Sequence, residues 1–113
     1  MHELSLMEEA VRMAVATARE SGGRRVLSLR LRIGEMSGVV PDAMQFAFDI
    51  VCRDTIAAGA TLEIEPVPAT CWCAACEREF PQAELSCECP ACHNFSGELR
   101  RGRELEIAAV EIS

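Results

Sequence analysis

The sequence has no lysine: all eleven basic residues are arginine, against eighteen acidic residues, and the formal net charge is −7. This balance disfavours nucleic acid or an anionic membrane as the main partner, because both are negatively charged. No apolar run approaches the ~18 residues of a membrane span. The opening Met1-His2-Glu3-Leu4 lacks the basic and apolar stretches of a signal peptide. We therefore expect a cytoplasmic protein that does not bind membranes.

The sequence also lacks the residue combinations of a common active site. It contains no Gly-rich phosphate loop and no candidate pair of nucleophile and base. Its 113 residues are half hydrophobic and suffice for one folded core with at most one small appended module. We interpret the chain as a globular binding protein and not as an enzyme.

Hydrophobic periodicity predicts two helices and three strands. Apolar residues recur at helical spacing over residues 3–20, and a second helical pattern begins at Pro41 and continues through Val51. Alternation predicts strands over residues 26–33 and 61–65, and apolar residues return over residues 105–112. These elements form one two-layer α+β core.

The region between the last two strands differs from this core. We assign residues 1–68 plus 100–113 to an α/β domain and residues 69–99 to an inserted zinc-binding module, which is too small for a core of its own. On the outer sheet face we expect arginines to pair with glutamates across strands. The residues concerned are Arg30, Arg32, Glu63, Glu65 and Glu106.

Cysteine is abundant: the chain has seven, of which six lie between Cys71 and Cys92, whereas Cys52 stands apart. In a reducing compartment these residues should not form disulfides, and clustered cytosolic cysteines indicate a metal site. The segments 71–76 and 87–92 each read C-x-C-x-x-C, and their inner C-x-x-C pairs have the spacing of zinc knuckles. The predicted zinc ligands are Cys73, Cys76, Cys89 and Cys92.

Other interpretations of the module are open. Cys71 or Cys87 could replace a neighbour as ligand, but the C-x-x-C spacing better aims backbone amides at the sulfurs. Cys89–His93 also matches the haem c attachment pattern, which is disfavoured without a signal peptide. Residues 70–100 carry five glutamates against two arginines, a poor surface for phosphate, so we expect the module to contact protein or to fix a loop.

His2 is either a frayed terminal residue or a metal ligand. A bulky second residue normally prevents removal of Met1, so the free amine, the His2 amide nitrogen and the imidazole can chelate one metal. Nitrogen donors in a near-planar array suit Ni(II) or Cu(II). Glu3 offers an amide and a carboxylate nearby.

The whole chain resembles the HypA family, the hydrogenase nickel-incorporation accessory proteins. The resemblance lies in the opening Met1-His2-Glu3-Leu4-Ser5, in Gly34-Glu35, in the paired knuckles and in the closing segment 102–107. It implies a nickel-binding domain of two helices on a three-stranded mixed sheet, with an inserted four-cysteine zinc domain. One departure follows each knuckle, where Glu77 and His93 replace the usual Gly, the residue that best tolerates a left-handed turn.

The resemblance also implies a function. It implies a nickel metallochaperone for [NiFe] hydrogenase maturation, with Ni²⁺ bound at Met1, His2 and Glu3 and structural Zn²⁺ at the four predicted cysteines. The implied partners are the HypB GTPase and the hydrogenase large subunit, and some members also serve urease. Two alternatives stay open: a zinc-ribbon protein–protein adaptor, and a thiol redox sensor that uses Cys71 and Cys87 as an oxidisable pair.

Overall fold

The computed structural model of the chain describes residues 2–83, 86–95 and 98–113. Both predicted helices and all three predicted strands are present, which confirms the α+β class. Three further short strands lie within the cysteine-rich region and were not predicted. In chain order the elements are α1 (His2–Glu20), β1 (Val26–Gly34), α2 (Pro41–Cys52), β2 (Thr61–Val67), β3 (Thr70–Cys73), β4 (Arg78–Pro81), β5 (Leu99–Arg101) and β6 (Leu105–Ile112).

The chain folds as two compact units. The first comprises Met1–Arg32, Gly38–Glu65 and Glu106–Ser113, and the second comprises Ile33–Ser37 and Pro66–Leu105. The first unit therefore holds both helices, whereas the second holds β3, β4 and β5. The expected domain boundaries at residues 68/69 and 99/100 stay a prediction.

The central strand β1 lies between β2 and β6 in a three-stranded sheet. The Arg24 N–H donates to the Ser113 carbonyl at one end of this pairing, and the Gly34 N–H donates to the Glu104 carbonyl at the other. Since the start of β1 meets the end of β6, these two strands are antiparallel.

Ion pairs on the exposed sheet face connect β1 to both neighbours. Arg30 lies 3.0 Å from Glu63, and Arg32 lies 3.2 Å from Glu65 and 3.4 Å from Glu106. The constant offset between the arginines and Glu63/Glu65 shows that β1 and β2 are parallel, so the sheet is mixed. The predicted charge pairing is confirmed. Each pair is about half exposed and contributes at most ~1 kcal/mol.

The helices α1 and α2 pack against each other through their apolar faces. On β1 the expected burial of every second residue holds from Leu29 to Ile33. At the start of the strand it does not, because Val26 is buried whereas Leu27 is 41% exposed. The buried helical residues are Met7, Val11, Ala14, Ala18, Met44, Ala47, Phe48 and Cys52. Among the described residues, neither helix has an apolar stretch long enough to cross a membrane.

In the second unit, β3 is the central strand and pairs antiparallel with β4 and β5. Cys71 lies opposite Phe80 on one side and Leu99 on the other. The buried cluster of this unit consists of Cys71, Cys73, Phe80 and Cys89. Since three of these four residues are cysteines, the stability of the unit depends on what the sulfurs bind.

The Gly34-Glu35 segment holds together the strands that lead into and out of this unit. The Glu35 N–H donates to the Val67 carbonyl, and the Glu35 carboxylate accepts a hydrogen bond from the Ala69 N–H at 3.1 Å. A side chain at Gly34 would overlap the backbone of Gly102, which itself has a φ of +121°. Two segments that carry the family resemblance therefore have a structural role here.

Candidate metal centre

Four cysteines converge in the second unit. Cys73 ends β3, Cys76 lies in the turn before β4, and Cys89 and Cys92 lie in the segment between β4 and β5. Their four sulfurs all lie within 4.8 Å of one another. The Cys73 and Cys92 sulfurs lie 3.5 Å apart, and the Cys76 and Cys89 sulfurs lie 3.9 Å apart.

These separations fit a tetrahedral ion. Zinc–thiolate bonds of about 2.3 Å place the sulfurs of a tetrahedron about 3.8 Å apart. The two observed separations lie on either side of this value. Four cysteine sulfurs are also one of the usual ligand sets of structural zinc sites. The arrangement can therefore accept a single zinc ion with little rearrangement.

Backbone amides support the sulfurs in both C-x-x-C turns. The Cys76 N–H donates to the Cys73 sulfur at 3.4 Å. The pKa of Cys89 is lowered to about 6, chiefly because the Cys92 N–H and then the Ala91 N–H donate to its sulfur. The pKa of Cys76 is raised to about 12 by hydrogen bonds with the sulfurs of Cys92 and Cys73. The raised pKa keeps the Cys76 thiol protonated, and binding a cation at its sulfur must release that proton.

The residue after each turn adopts the left-handed conformation. The φ angle is +53° at Glu77 and +62° at His93, so the chain keeps both knuckle turns without glycine. The His93 N–H donates to the Cys89 carbonyl at 2.8 Å, which closes the second turn. The His93 side chain is 73% exposed and lies 3.5 Å from the Glu88 carboxylate. His93 is not part of the group of side chains that converge as a possible metal site among the described residues.

Cys71 and Cys87 are joined by a disulfide. The expectation that all these cysteines are reduced is wrong for this pair. Each residue lies two positions before the first cysteine of a knuckle, so the fold that brings the knuckles together also places these Cα atoms 5.7 Å apart. That separation is within the range a disulfide spans. The signal available in the sequence was the equivalent position of the two residues in the repeated C-x-C-x-x-C pattern.

Cys52 is separate from this centre. It lies at the end of α2 and is only 3% exposed. Burial and then the nearby Asp49 carboxylate raise the pKa of its thiol to about 11. Its side chain is accordingly a small protonated core residue.

The residues expected to bind nickel are described only in part. Met1 and the side chain of His2 lie outside the described residues, and α1 begins at His2. Glu3 lies in the first turn of α1, where its carboxylate accepts a hydrogen bond from the Val40 N–H at 3.4 Å. Val40 precedes the first turn of α2, which contains Asp42. The start of α1 is therefore beside the start of α2.

This chain is similar to known proteins over nearly its whole length. The family model described as hydrogenase/urease nickel incorporation, metallochaperone, hypA matches residues 1–112. Two relatives called hydrogenase maturation factor HypA, from Picosynechococcus sp. and Geobacter metallireducens, are 43% and 42% identical over 112 residues. Each alignment covers 99% of both sequences.

Two solved structures share the fold. The solution structure of the Ni metallochaperone HypA from Helicobacter pylori aligns with a TM-score of 0.69 at 21% identity, covering 99% of this chain and 97% of that one. A second solution structure of a HypA protein aligns with a TM-score of 0.77 at 22% identity, covering 100% and 97%.

Proposed function

Because this chain belongs to the HypA family of hydrogenase/urease nickel-incorporation metallochaperones, we propose that it binds Ni(II) at its N-terminus and delivers the ion to the large subunit of a [NiFe] hydrogenase. The family match over residues 1–112 is the observation that carries this proposal. Binding and transfer of an ion require no chemical step on the protein. The proposed location is the cytoplasm, and the proposed partner in delivery is the HypB GTPase.

The proposed nickel ligands are the amine of Met1, the amide nitrogen and imidazole of His2, and Glu3. Such a site uses few donors from one end of the chain, so a coordination position stays open for a ligand of the acceptor. The Glu3 carboxylate contacts the start of α2 through Val40, which supports a role for its backbone amide in binding. Capture, docking and ligand exchange would then follow in that order.

The proposed zinc ligands are Cys73, Cys76, Cys89 and Cys92. The four sulfurs fit a tetrahedral thiolate site, and amides already support Cys73 and Cys89. Zinc held there would be structural, since four thiolates leave no open position for exchange. Nickel and zinc thus occupy separate sites in this proposal. Nickel must exchange readily at the N-terminus, whereas zinc must dissociate slowly from the cysteines.

The proposal is tested by nickel titration and metal analysis of the wild type, His2→Ala and Cys73→Ser. His2→Ala should lose nickel binding and hydrogenase maturation while retaining about one zinc per chain. Cys73→Ser should lose zinc and, once the Cys71–Cys87 disulfide is reduced, loosen the second unit while leaving α1 and α2 folded. Normal maturation by His2→Ala would contradict nickel delivery and favour a protein–protein adaptor.

A further inference from the structure

The disulfide and the four-cysteine cluster connect the same two segments. Cys71 precedes Cys73 by two residues on β3, and Cys87 precedes Cys89 by two residues in the second knuckle. A metal on the cluster would bridge Cys73 to Cys89 across the same gap. The second unit therefore has two crosslinks available to it, one covalent and one through an ion.

The two disulfide cysteines differ in accessibility. Cys71 is fully buried, at 0% exposure, between Phe80 and Leu99 of the neighbouring strands. Cys87 is partly exposed and packs at the edge of the buried cluster. Of the two residues, only Cys87 has exposed surface at which a thiol from solution can approach the disulfide.

We propose that Cys71–Cys87 is a thiol–disulfide exchange site that low-molecular-weight thiols attack at Cys87, and that its oxidised form keeps the four-cysteine cluster assembled when the metal is absent. Exchange at Cys87 depends only on the disulfide and on the burial of Cys71. The effect of the disulfide on the four-cysteine cluster rests on the proposed zinc site.

The exchange is balanced by a low-molecular-weight thiol such as glutathione. One glutathione thiolate attacks the Cys87 sulfur, the bond between the two cysteines breaks, and Cys71 leaves as a thiolate that takes a proton. A second glutathione thiolate attacks the glutathione sulfur of the mixed disulfide, which releases Cys87 and forms glutathione disulfide. The reverse sequence, with glutathione disulfide as oxidant, reforms the bond and yields two glutathione molecules.

The size of the second unit explains why the crosslink matters. Its buried cluster consists of Phe80 and three cysteines, which is too little apolar surface to hold β3 against the second knuckle. A disulfide across a sequence separation of 16 removes conformations from the unfolded chain. The oxidised unit should therefore stay closed after the metal leaves, whereas the reduced unit should open.

The attack at Cys87 is tested with glutathione disulfide and two matched variants of the full, zinc-loaded chain. Cys71→Ala leaves only the accessible member of the pair, and Cys87→Ala leaves only the buried member. Peptide mapping by mass spectrometry should find glutathione on Cys87 in the first variant, at a rate at least tenfold above that on Cys71 in the second. Equal rates, or faster modification of Cys71, would overturn the assigned direction.

The effect on the cluster is tested by removing zinc with a chelator from oxidised and from reduced wild type, and then titrating zinc back without oxygen. Zinc should bind the oxidised chain at least tenfold more tightly. A Cys71→Ala/Cys87→Ala double variant, handled in both ways, should match the reduced wild type. Equal affinities for oxidised and reduced wild type would refute the inference, whereas no zinc binding by any sample would refute the proposed zinc site as well.

Discussion

The carboxylate of Glu3 accepts a hydrogen bond from the backbone N–H of Val40 at a distance of 3.4 Å, between residues 37 positions apart. Val40 is the N-cap residue of α2, and its own side chain has no oxygen with which to cap the helix. A carboxylate at this position also interacts favourably with the positive end of the helix dipole. Glu3 thus connects the proposed nickel-binding end of the chain to α2.

Comparing Glu3→Gln with Glu3→Ala separates two roles of this side chain. Glutamine retains an oxygen that can accept from Val40, whereas alanine does not. If the carboxylate only positions the first turn, Glu3→Gln should bind nickel like the wild type, and Glu3→Ala should bind more weakly and lose at most ~1 kcal/mol of unfolding free energy. Nickel titration and thermal unfolding measure both effects. Equal loss of nickel affinity in the two variants would instead make the carboxylate a ligand.

One glycine added before Met1 should separate nickel binding from nickel delivery. Histidine then stands third from the amine, so the amine, two amides and the imidazole can fill a complete square plane around Ni(II). Affinity should equal or exceed that of the native chain, while transfer to the GTPase partner should fail, because no position remains for an incoming ligand. Normal transfer by the extended chain would exclude the Met1 amine from the working site.

Glycine at the two left-handed positions should stabilise the second unit. Glu77 and His93 adopt φ angles of +53° and +62°, which cost a residue with a β-carbon about 1 kcal/mol or more. Glu77→Gly and His93→Gly should each raise the unfolding free energy of this unit by up to ~1 kcal/mol, measured as a higher urea midpoint. Ala75→Gly, in the same turn but outside the left-handed region, is the control and should destabilise it.

The raised pKa of Cys52 has a pH signature. Because burial raises the pKa of this thiol from 9.0 to about 11, the folded state holds the proton more tightly than the unfolded state. Its contribution to stability is complete below pH 9 and falls as the pH rises towards 11. The difference in unfolding free energy between wild type and Cys52→Ala should therefore shrink over this interval. A constant difference would show that the folded chain does not perturb this thiol.

Elements with a long repeat were predictable from the sequence. Along both helices and along β1, apolar residues recur often enough to identify the buried face. Arg30 and Arg32 likewise identify the exposed face of β1. The short strands β3, β4 and β5 contain three or four residues each, so no period can establish itself. Their formation follows from the pairing of Cys71 with Phe80 and Leu99, which is a tertiary event.

The candidate site was predictable to the extent that its chemistry is local. The C-x-x-C spacing fixes which amides face Cys73 and Cys89, and the structure brings together the four cysteines that the spacing selects. The disulfide between Cys71 and Cys87 depends on how the two knuckles face each other across 16 residues. The spacing of Cys71 and Cys87 in the sequence is equally compatible with two free thiols and with a disulfide. Only the fold distinguishes these two possibilities.

Trp72 lies between Cys71 and Cys73 on β3. The Arg100 guanidinium stacks on its ring, with the guanidinium carbon 4.4 Å from the ring centroid. The chain contains no other tryptophan and no tyrosine. Its intrinsic fluorescence therefore arises almost entirely from this one strand, and opening of the second unit would separate the indole from the cation above it. Tryptophan fluorescence therefore reports on the cysteine-rich unit alone, because neither helix contains tryptophan or tyrosine.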